Sequence, residues 1–202
     1  MKLIIAIISL LRPLNIGIAI LSSLIVAYLV SPRVALIDTH RLWELCLIIF
    51  FYMSGANILN DYIDIEIDKI NKPHRPLLHI QFNSFFIIFI IIIFFILGSI
   101  ISIQHYNLSS IIALLFVLPA IILYEIILKR MPLIGNIVIS SLVGIVFIFI
   151  EAGLTNKIDI TYPIMILAFN LNLIREIIKD IQDLEGDKLY NMKTLPIILG
   201  KH

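Results

Sequence analysis

Residues 47–69 read LIIFFYMSGANILNDYIDIEIDK, an apolar run that turns abruptly into a cluster of carboxylates. Asp61, Asp64, Glu66 and Asp68 fall within eight consecutive residues. An ionised carboxylate beside an apolar segment is costly near lipid, so a cluster of them needs partners or a purpose. The apolar half decides the class of fold; the acidic half carries the chemistry.

The 202 residues are 60% hydrophobic and 14% charged, with a mean hydropathy of +1.06. A soluble domain of that length needs more polar surface to cover its core. Several runs approach or exceed the ~20 apolar residues that cross a bilayer. The expectation is an all-α, polytopic transmembrane helical bundle, integral to the cell membrane. Isoleucine is abundant, but lipid makes each segment satisfy its own backbone, and that favours helices. Six spans are predicted, at 14–30, 42–60, 82–103, 108–128, 133–153 and 161–179. Pro32, Pro73, Pro76, Pro132 and Pro163 punctuate their ends. The opening MKLIIAIISLLRPLN has the single Lys and short apolar core of a leader, yet no small-x-small site follows. Arg12, Pro13 and Asn15 interrupt it, so an interfacial helix entering the first span is expected.

Net charge is +1, and no basic, aromatic-rich patch points to nucleic acid. Cys46 is the single cysteine, which excludes an intrachain disulfide and a thiolate metal cluster. With the N-terminus inside, Lys2, Arg12, Lys69, Lys72, Arg75, Lys129, Arg130, Arg175, Lys179, Lys188, Lys193 and Lys201 lie on the cytoplasmic side. Arg33, Arg41 and Lys157 lie on the other, a strong positive-inside bias. Both acidic segments then sit at the cytoplasmic face, below spans two and six.

There are two such segments. Residues 61–69, DYIDIEIDK, and residues 180–188, DIQDLEGDK, both read D-x-x-D-x-E-x-D-K. At about 100° per residue, offsets 0, 3 and 7 fall within roughly 60° of one helix face. Asp61, Asp64 and Asp68 form one stripe, and Asp180, Asp183 and Asp187 the other. Glu66 and Glu185 point nearly opposite. Like charges so placed repel, and hard divalent cations remove that cost. Oxygen donors without interleaved His or Cys favour Mg²⁺, which bridges one or two carboxylates to substrate phosphates. Two facing stripes suggest a diphosphate held between metal-loaded walls.

The segment N-D-x-x-D-x-x-x-D followed by NKPHRP resembles the first Asp-rich motif of the UbiA-type intramembrane prenyltransferases. REIIKDIQDLEGDK, with KTLP beyond it, resembles their second motif, and LLRPLN their first-helix signature. Within the family, REIIKDIQDLEGDK is most similar to the archaeal digeranylgeranylglyceryl phosphate synthases. The resemblance implies Mg²⁺-dependent transfer of a prenyl group, geranylgeranyl in that branch, from its diphosphate. The acceptor implied is the hydroxyl of geranylgeranylglyceryl phosphate, and the product an archaeal ether lipid. Asn60, Asp61, Asp64 and Asp68 take the first-motif roles, and Asp180, Asp183 and Asp187 the second, with Asp64, Asp68, Asp183 and Asp187 central to catalysis.

Further substrate-binding candidates are cationic or polar. Lys72 and Arg75 suit a diphosphate clamp, because guanidinium matches phosphate oxygens as a fork. Arg12 and Asn15 match the first-helix signature. Tyr124 and Lys129, in LYEIILKR, resemble the family's Tyr/Lys segment, although Ile127 stands where relatives often carry another Lys. Arg175 and Lys179 flank the second motif.

Two departures stand out. LLHIQF follows KPHRP, without the Ser-Gly common in relatives. Family members carry about nine spans, so residues 1–202 are expected to be one truncated domain, or half of a split protein whose missing helices come from a partner chain. The alternatives are an aromatic acceptor, such as 4-hydroxybenzoate or another quinone precursor, and, from another class, a cation transporter with an acidic ion site. Transporter carboxylates favour broken helices near the midplane, whereas these lie at helix ends beside basic loops. A CDP-alcohol phosphotransferase is disfavoured, since Ile65-Glu66 follows Asp64 where its motif needs another pattern.

Overall fold

The computed structural model of the chain describes residues 8–33, 38–79, 83–104, 107–184, 188 and 194–200. Asp187, Glu185 and Lys193 lie outside them. Among the described residues, seven helices set the architecture: α1 (Pro13–Val30), α2 (Thr39–Ile63), α3 (Ile65–Asn71), α4 (Ser84–Ile103), α5 (Leu108–Ile126), α6 (Ile134–Thr155) and α7 (Tyr162–Gln182). Single turns follow at Pro76–His79 and Leu195–Leu199. No strand occurs among the described residues.

Short polar side chains start several of these helices by satisfying first-turn amides. Asp38 accepts from the Arg41 amide, Asn83 from Phe85 and Asn107 from Ser110. Pro13 opens α1 at a position where its missing N–H costs nothing. The preceding Arg12 is left-handed, with φ 54° and ψ 63°, so helical residues 8–11 meet α1 at a sharp bend. Inside α5, residues Ile112–Val117 widen into a π-helical turn just ahead of Pro119.

α1, α2, α4, α5 and α6 are long and apolar enough to cross a membrane. The sixth expected span does form a helix, α7, but Asn170, Asn172, Arg175, Glu176, Lys179 and Asp180 make it amphipathic, and it is not among those five. Its Leu167, Leu171, Ile174, Ile178 and Ile181 form an exposed stripe at helical spacing. The other side of α7 packs on α6, where Gly144 faces the Met165 backbone and Phe169.

The core joins α1, α2, α5 and α6 around Val26, Val30, Leu45, Ile49, Ile148 and Ile150. α4 docks on α2 through a reciprocal exchange of rings and glycines. The Tyr52 ring lies over Gly98, the Phe95 ring over Gly55, and the Tyr52 hydroxyl hydrogen-bonds Ser99 Oγ at 3.0 Å. Small residues at a crossing let backbones approach closely, the main route to helix association in lipid.

The end away from the carboxylates is closed by polar staples. Arg41 is buried and donates to the Gly153 carbonyl and to Ser109 Oγ, at 3.2 and 3.0 Å. Glu151, 2% exposed, accepts from the amides of Asp159, Ile160 and Thr161 and from the Thr161 hydroxyl. That ties the loop before α7 to the end of α6, and so fixes where α7 begins.

Candidate functional site

The first acidic motif runs off the end of α2, but not as one continuous helix. Helix α2 stops at Ile63, Asp64 takes φ −90° and ψ 10°, and α3 starts at Ile65. The stripe of Asp61, Asp64 and Asp68 expected from uniform helical geometry is therefore broken at its middle member. Glu66 does point away, pairing with Lys69 at 2.7 Å on the exposed side.

Asp61 is 2% exposed at the end of α2. Its Oδ1 accepts from Arg12 Nη2 at 2.5 Å and from Arg75 Nη1 at 2.8 Å. Its Oδ2 is buried without a hydrogen-bond partner among the described residues. Arg12 Nη2 also donates to Asn60 Oδ1 at 2.8 Å, and Asn57 Nδ2 donates to the Leu11 carbonyl at 3.0 Å. The bend at Arg12 is thus fastened to α2 from two directions.

Both oxygens of Asp64 are engaged. Oδ2 accepts from Asn60 Nδ2 at 3.0 Å, and Oδ1 from Lys129 Nζ at 2.6 Å. Asp68, 4% exposed on α3, faces Arg75 Nε at 3.6 Å and Lys72 Nζ at 3.9 Å. Burial pushes the Asp68 carboxyl above the ordinary aspartate value of 3.8, while Arg75 and Lys72 pull it down and Asp64 and Asp61 push it up.

Lys72 joins the two motifs. Its Nζ donates to Asp183 Oδ2 at 2.6 Å while facing Asp68. Asp180, one turn earlier on α7, accepts from Asn136 Nδ2 of α6 at 2.9 Å. Tyr124 lies on α5, five residues before Lys129.

Arg12, Asn60, Asp61, Asp64, Asp68, Lys72, Arg75, Lys129 and Asp183 are therefore linked by hydrogen bonds or ion pairs, with Asp180 one turn before Asp183. Three expected residues are placed otherwise. Arg175 and Lys179 both bond the buried Glu176, at 2.7 and 2.8 Å, rather than an Asp of the second motif. Asn15 sits half-buried in the first turn of α1 and contributes a backbone bond to Arg12.

Two polar residues within the helices were missed from the sequence. Glu125, 4% exposed, accepts through Oε2 from Asn60 Nδ2 and Lys129 Nζ, both at 3.1 Å. Asn136, 8% exposed, holds Asp180. An ionisable residue inside an apolar run, one turn before Lys129, was the available signal for Glu125.

The donor set suits Mg²⁺. Every candidate ligand is a carboxylate or amide oxygen, and Asp61 Oδ2 is a buried carboxylate oxygen without a hydrogen-bond partner among the described residues. Among the described residues no group of three His, Cys, Asp or Glu side chains forms a ready cage. Mg²⁺ needs no such cage, because it is commonly held by one or two carboxylates and completed by waters and phosphate oxygens.

A model of the UbiA prenyltransferase family matches residues 14–202. The digeranylgeranylglyceryl phosphate synthase of Thermococcus sibiricus is 39% identical over 197 residues, covering 96% of this chain and 68% of that protein. That of Pyrococcus horikoshii is 37% identical over 203 residues, covering 97% and 69%. Curated relatives of this kind are matched over 55–69% of their own length. A solved structure described as giving insight into digeranylgeranylglyceryl phosphate synthase in membranes superposes with a TM-score of 0.76 at 32% identity. It is matched over 100% of this chain and 71% of its own. A UbiA homolog from Archaeoglobus fulgidus, bound to DMAPP and Mg²⁺, shares the fold, with a TM-score of 0.77 at 16% identity over 96% of this chain and 69% of its own. The apolar helices and the matched family make this an integral membrane protein, and the chain belongs to the UbiA prenyltransferase family.

Proposed function

We propose that this chain forms the diphosphate site of a Mg²⁺-dependent prenyltransferase that alkylates the hydroxyl of a glyceryl phosphate lipid. The donor is a prenyl diphosphate, geranylgeranyl diphosphate on the strength of the similar synthases, and the acceptor is geranylgeranylglyceryl phosphate. The observation that carries this reading is the Lys72 bridge between the two Asp motifs, 2.6 Å from Asp183 and 3.9 Å from Asp68. The two acidic walls meet at this one cation, and Arg75 and Lys129 pair with carboxylates of the same cluster.

In the transfer, the allylic C–O bond breaks and the diphosphate leaves with the bonding pair. A C–O bond forms to the acceptor hydroxyl, whose proton passes to the released diphosphate. Mg²⁺, when bound, supplies positive charge that stabilises the leaving diphosphate. Asp61, Asp64, Asp68, Asp180, Asp183 and Asp187 are its ligand candidates. Lys72 and Arg75 exchange a carboxylate for phosphoryl oxygens as the donor enters, which keeps the site near charge balance, while Lys129 stays between Asp64 and Glu125. Asn60 and Asn136 hold Asp64 and Asp180 in place. Positioning and electrostatics supply most of the rate enhancement in such a scheme.

The orientation follows the distribution of Lys and Arg, with the N-terminus and both Asp motifs at the cytoplasmic face. The test is transfer of a radiolabelled geranylgeranyl group to geranylgeranylglyceryl phosphate by the purified protein, with and without Mg²⁺. Product that forms equally well in EDTA would overturn the metal site. Product from 4-hydroxybenzoate and none from the glyceryl acceptor would move the chain to the aromatic-acceptor branch.

A further inference from the structure

Four side chains close a ring at the junction of α2 and α5. Asn60 Nδ2 donates to Asp64 Oδ2 and to Glu125 Oε2, at 3.0 and 3.1 Å. Lys129 Nζ donates to Asp64 Oδ1 and to Glu125 Oε2, at 2.6 and 3.1 Å. Asp64 and Glu125 thus share the same two donors from opposite sides. Glu125 is 4% exposed, and its helix offers Lys129 one turn away, with that side chain itself 6% exposed.

The geometry points to Glu125 as a positioning residue that divides the Lys129 charge with Asp64 and so keeps Asp64 available to a divalent cation. The inference rests on the Mg²⁺–diphosphate reading above. Its logic is electrostatic. In a poorly hydrated pocket, a lysine with one carboxylate partner pairs with it fully and competes with any incoming cation. A second carboxylate on the same ammonium halves that claim. The shared amide of Asn60 adds direction, since its two protons fix the plane in which Asp64 presents its oxygens. Groups behind a metal ligand commonly change metal affinity by about 10- to 100-fold when removed.

The test is Mn²⁺ binding to the purified chain in detergent with inorganic diphosphate present, read as the excess Mn²⁺ retained with the protein at equilibrium dialysis against the same Mn²⁺–diphosphate solution. Glu125→Gln keeps the shape and an acceptor oxygen but removes the charge. It should weaken Mn²⁺ binding about tenfold. In a Lys129→Met background the same change should cost less than about twofold, because the competitor is gone. Glu125→Asp keeps the charge and should stay within about threefold of the parent. Equal binding by the parent and Glu125→Gln would overturn the assignment, as would a Glu125→Asp variant as weak as Glu125→Gln. A tenfold loss that persists in the Lys129→Met background would mean that Glu125 acts on the ion directly, which also refutes a role through Lys129. If the parent chain itself takes up no Mn²⁺ with diphosphate, the metal reading falls and the inference falls with it.

Discussion

Asp64 and Asp183 share one backbone conformation at the same place in their motifs. Asp64 lies at φ −90°, ψ 10°, and Asp183 at φ −86°, ψ 5°. Each donates its amide to the carbonyl four residues back, Asn60 and Lys179, at 3.0 and 2.9 Å. Each therefore caps the end of a long helix. The internal repeat seen in the sequence is a repeat of helix ends. The two ends meet at Lys72.

The first prediction follows from that conformation. At negative φ this conformation sets no requirement that separates Asn from the nearly isosteric Asp. Asp64→Asn and Asp183→Asn should therefore keep the fold while removing an anionic ligand. Each is expected to lower prenyl transfer by about 10²-fold or more, a typical loss when one electrostatic stabiliser of a transition state goes. Melting of the metal-free protein should change little. Unimpaired transfer by both variants would sink the two-wall arrangement.

The motifs were legible because carboxylate spacing survives in sequence, and five of the six predicted spans because apolar runs do. Other features lay beyond sequence reasoning for definite physical reasons. Spacing at a fixed angle per residue assumes an unbroken helix, and the turns at Asp64 and Asp183 break it. Helix α7 forms where the sixth span was expected, with a continuous apolar stripe opposite a polar face of Arg175, Glu176, Lys179 and Asp180. Lys179 is three residues from Glu176 and one from Asp180, and the sequence could not say that it bonds Glu176. Asn136 meets Asp180 only through the packing of α6 on α7.

Helix packing and metal use should separate cleanly at Gly98. A Cβ there would collide with the Tyr52 ring, which is itself buried against α2 and α4. Gly98→Val should destabilise the chain by about 1–3 kcal/mol, as overpacking of a tight contact usually does. Gly17, where a Cβ meets nothing within 4 Å, is the matched control. Thermal melting in detergent of Gly98→Val and Gly17→Val distinguishes them. Equal melting temperatures would show that the Tyr52–Gly98 contact does not hold α4 in place.

Lys72 should matter to the donor substrate more than to stability. Its ion pair with Asp183 is partly exposed, at 23% and 16% for the two side chains, so solvent screens it. Its loss should cost less than about 1 kcal/mol of stability. Binding of diphosphate between the walls loses a charged hydrogen bond, worth more where water is partly excluded. Lys72→Met is therefore expected to raise KM for the prenyl diphosphate about tenfold, with a smaller change in kcat. An unchanged KM would remove Lys72 from the donor site.

The last prediction concerns pH and follows from Asp68. Burial raises its carboxyl above the ordinary value of 3.8 despite Arg75 and Lys72. The folded chain then holds the Asp68 proton more tightly than the unfolded chain does. This stabilising contribution is fully present below 3.8 and is lost as pH rises through the elevated folded value. In metal-free protein, Asp68→Asn should flatten that decline, since an amide carries no such proton. A divalent cation takes the ionised form, so Mg²⁺ with diphosphate should stabilise the parent increasingly as pH climbs through the same window. Asp68→Asn should show less of this rise. Melting curves at a series of pH values, each with EDTA and with Mg²⁺–diphosphate, measure both slopes together. Coincident slopes for parent and variant in both conditions would show that Asp68 is not the buried carboxylate that answers to pH and metal.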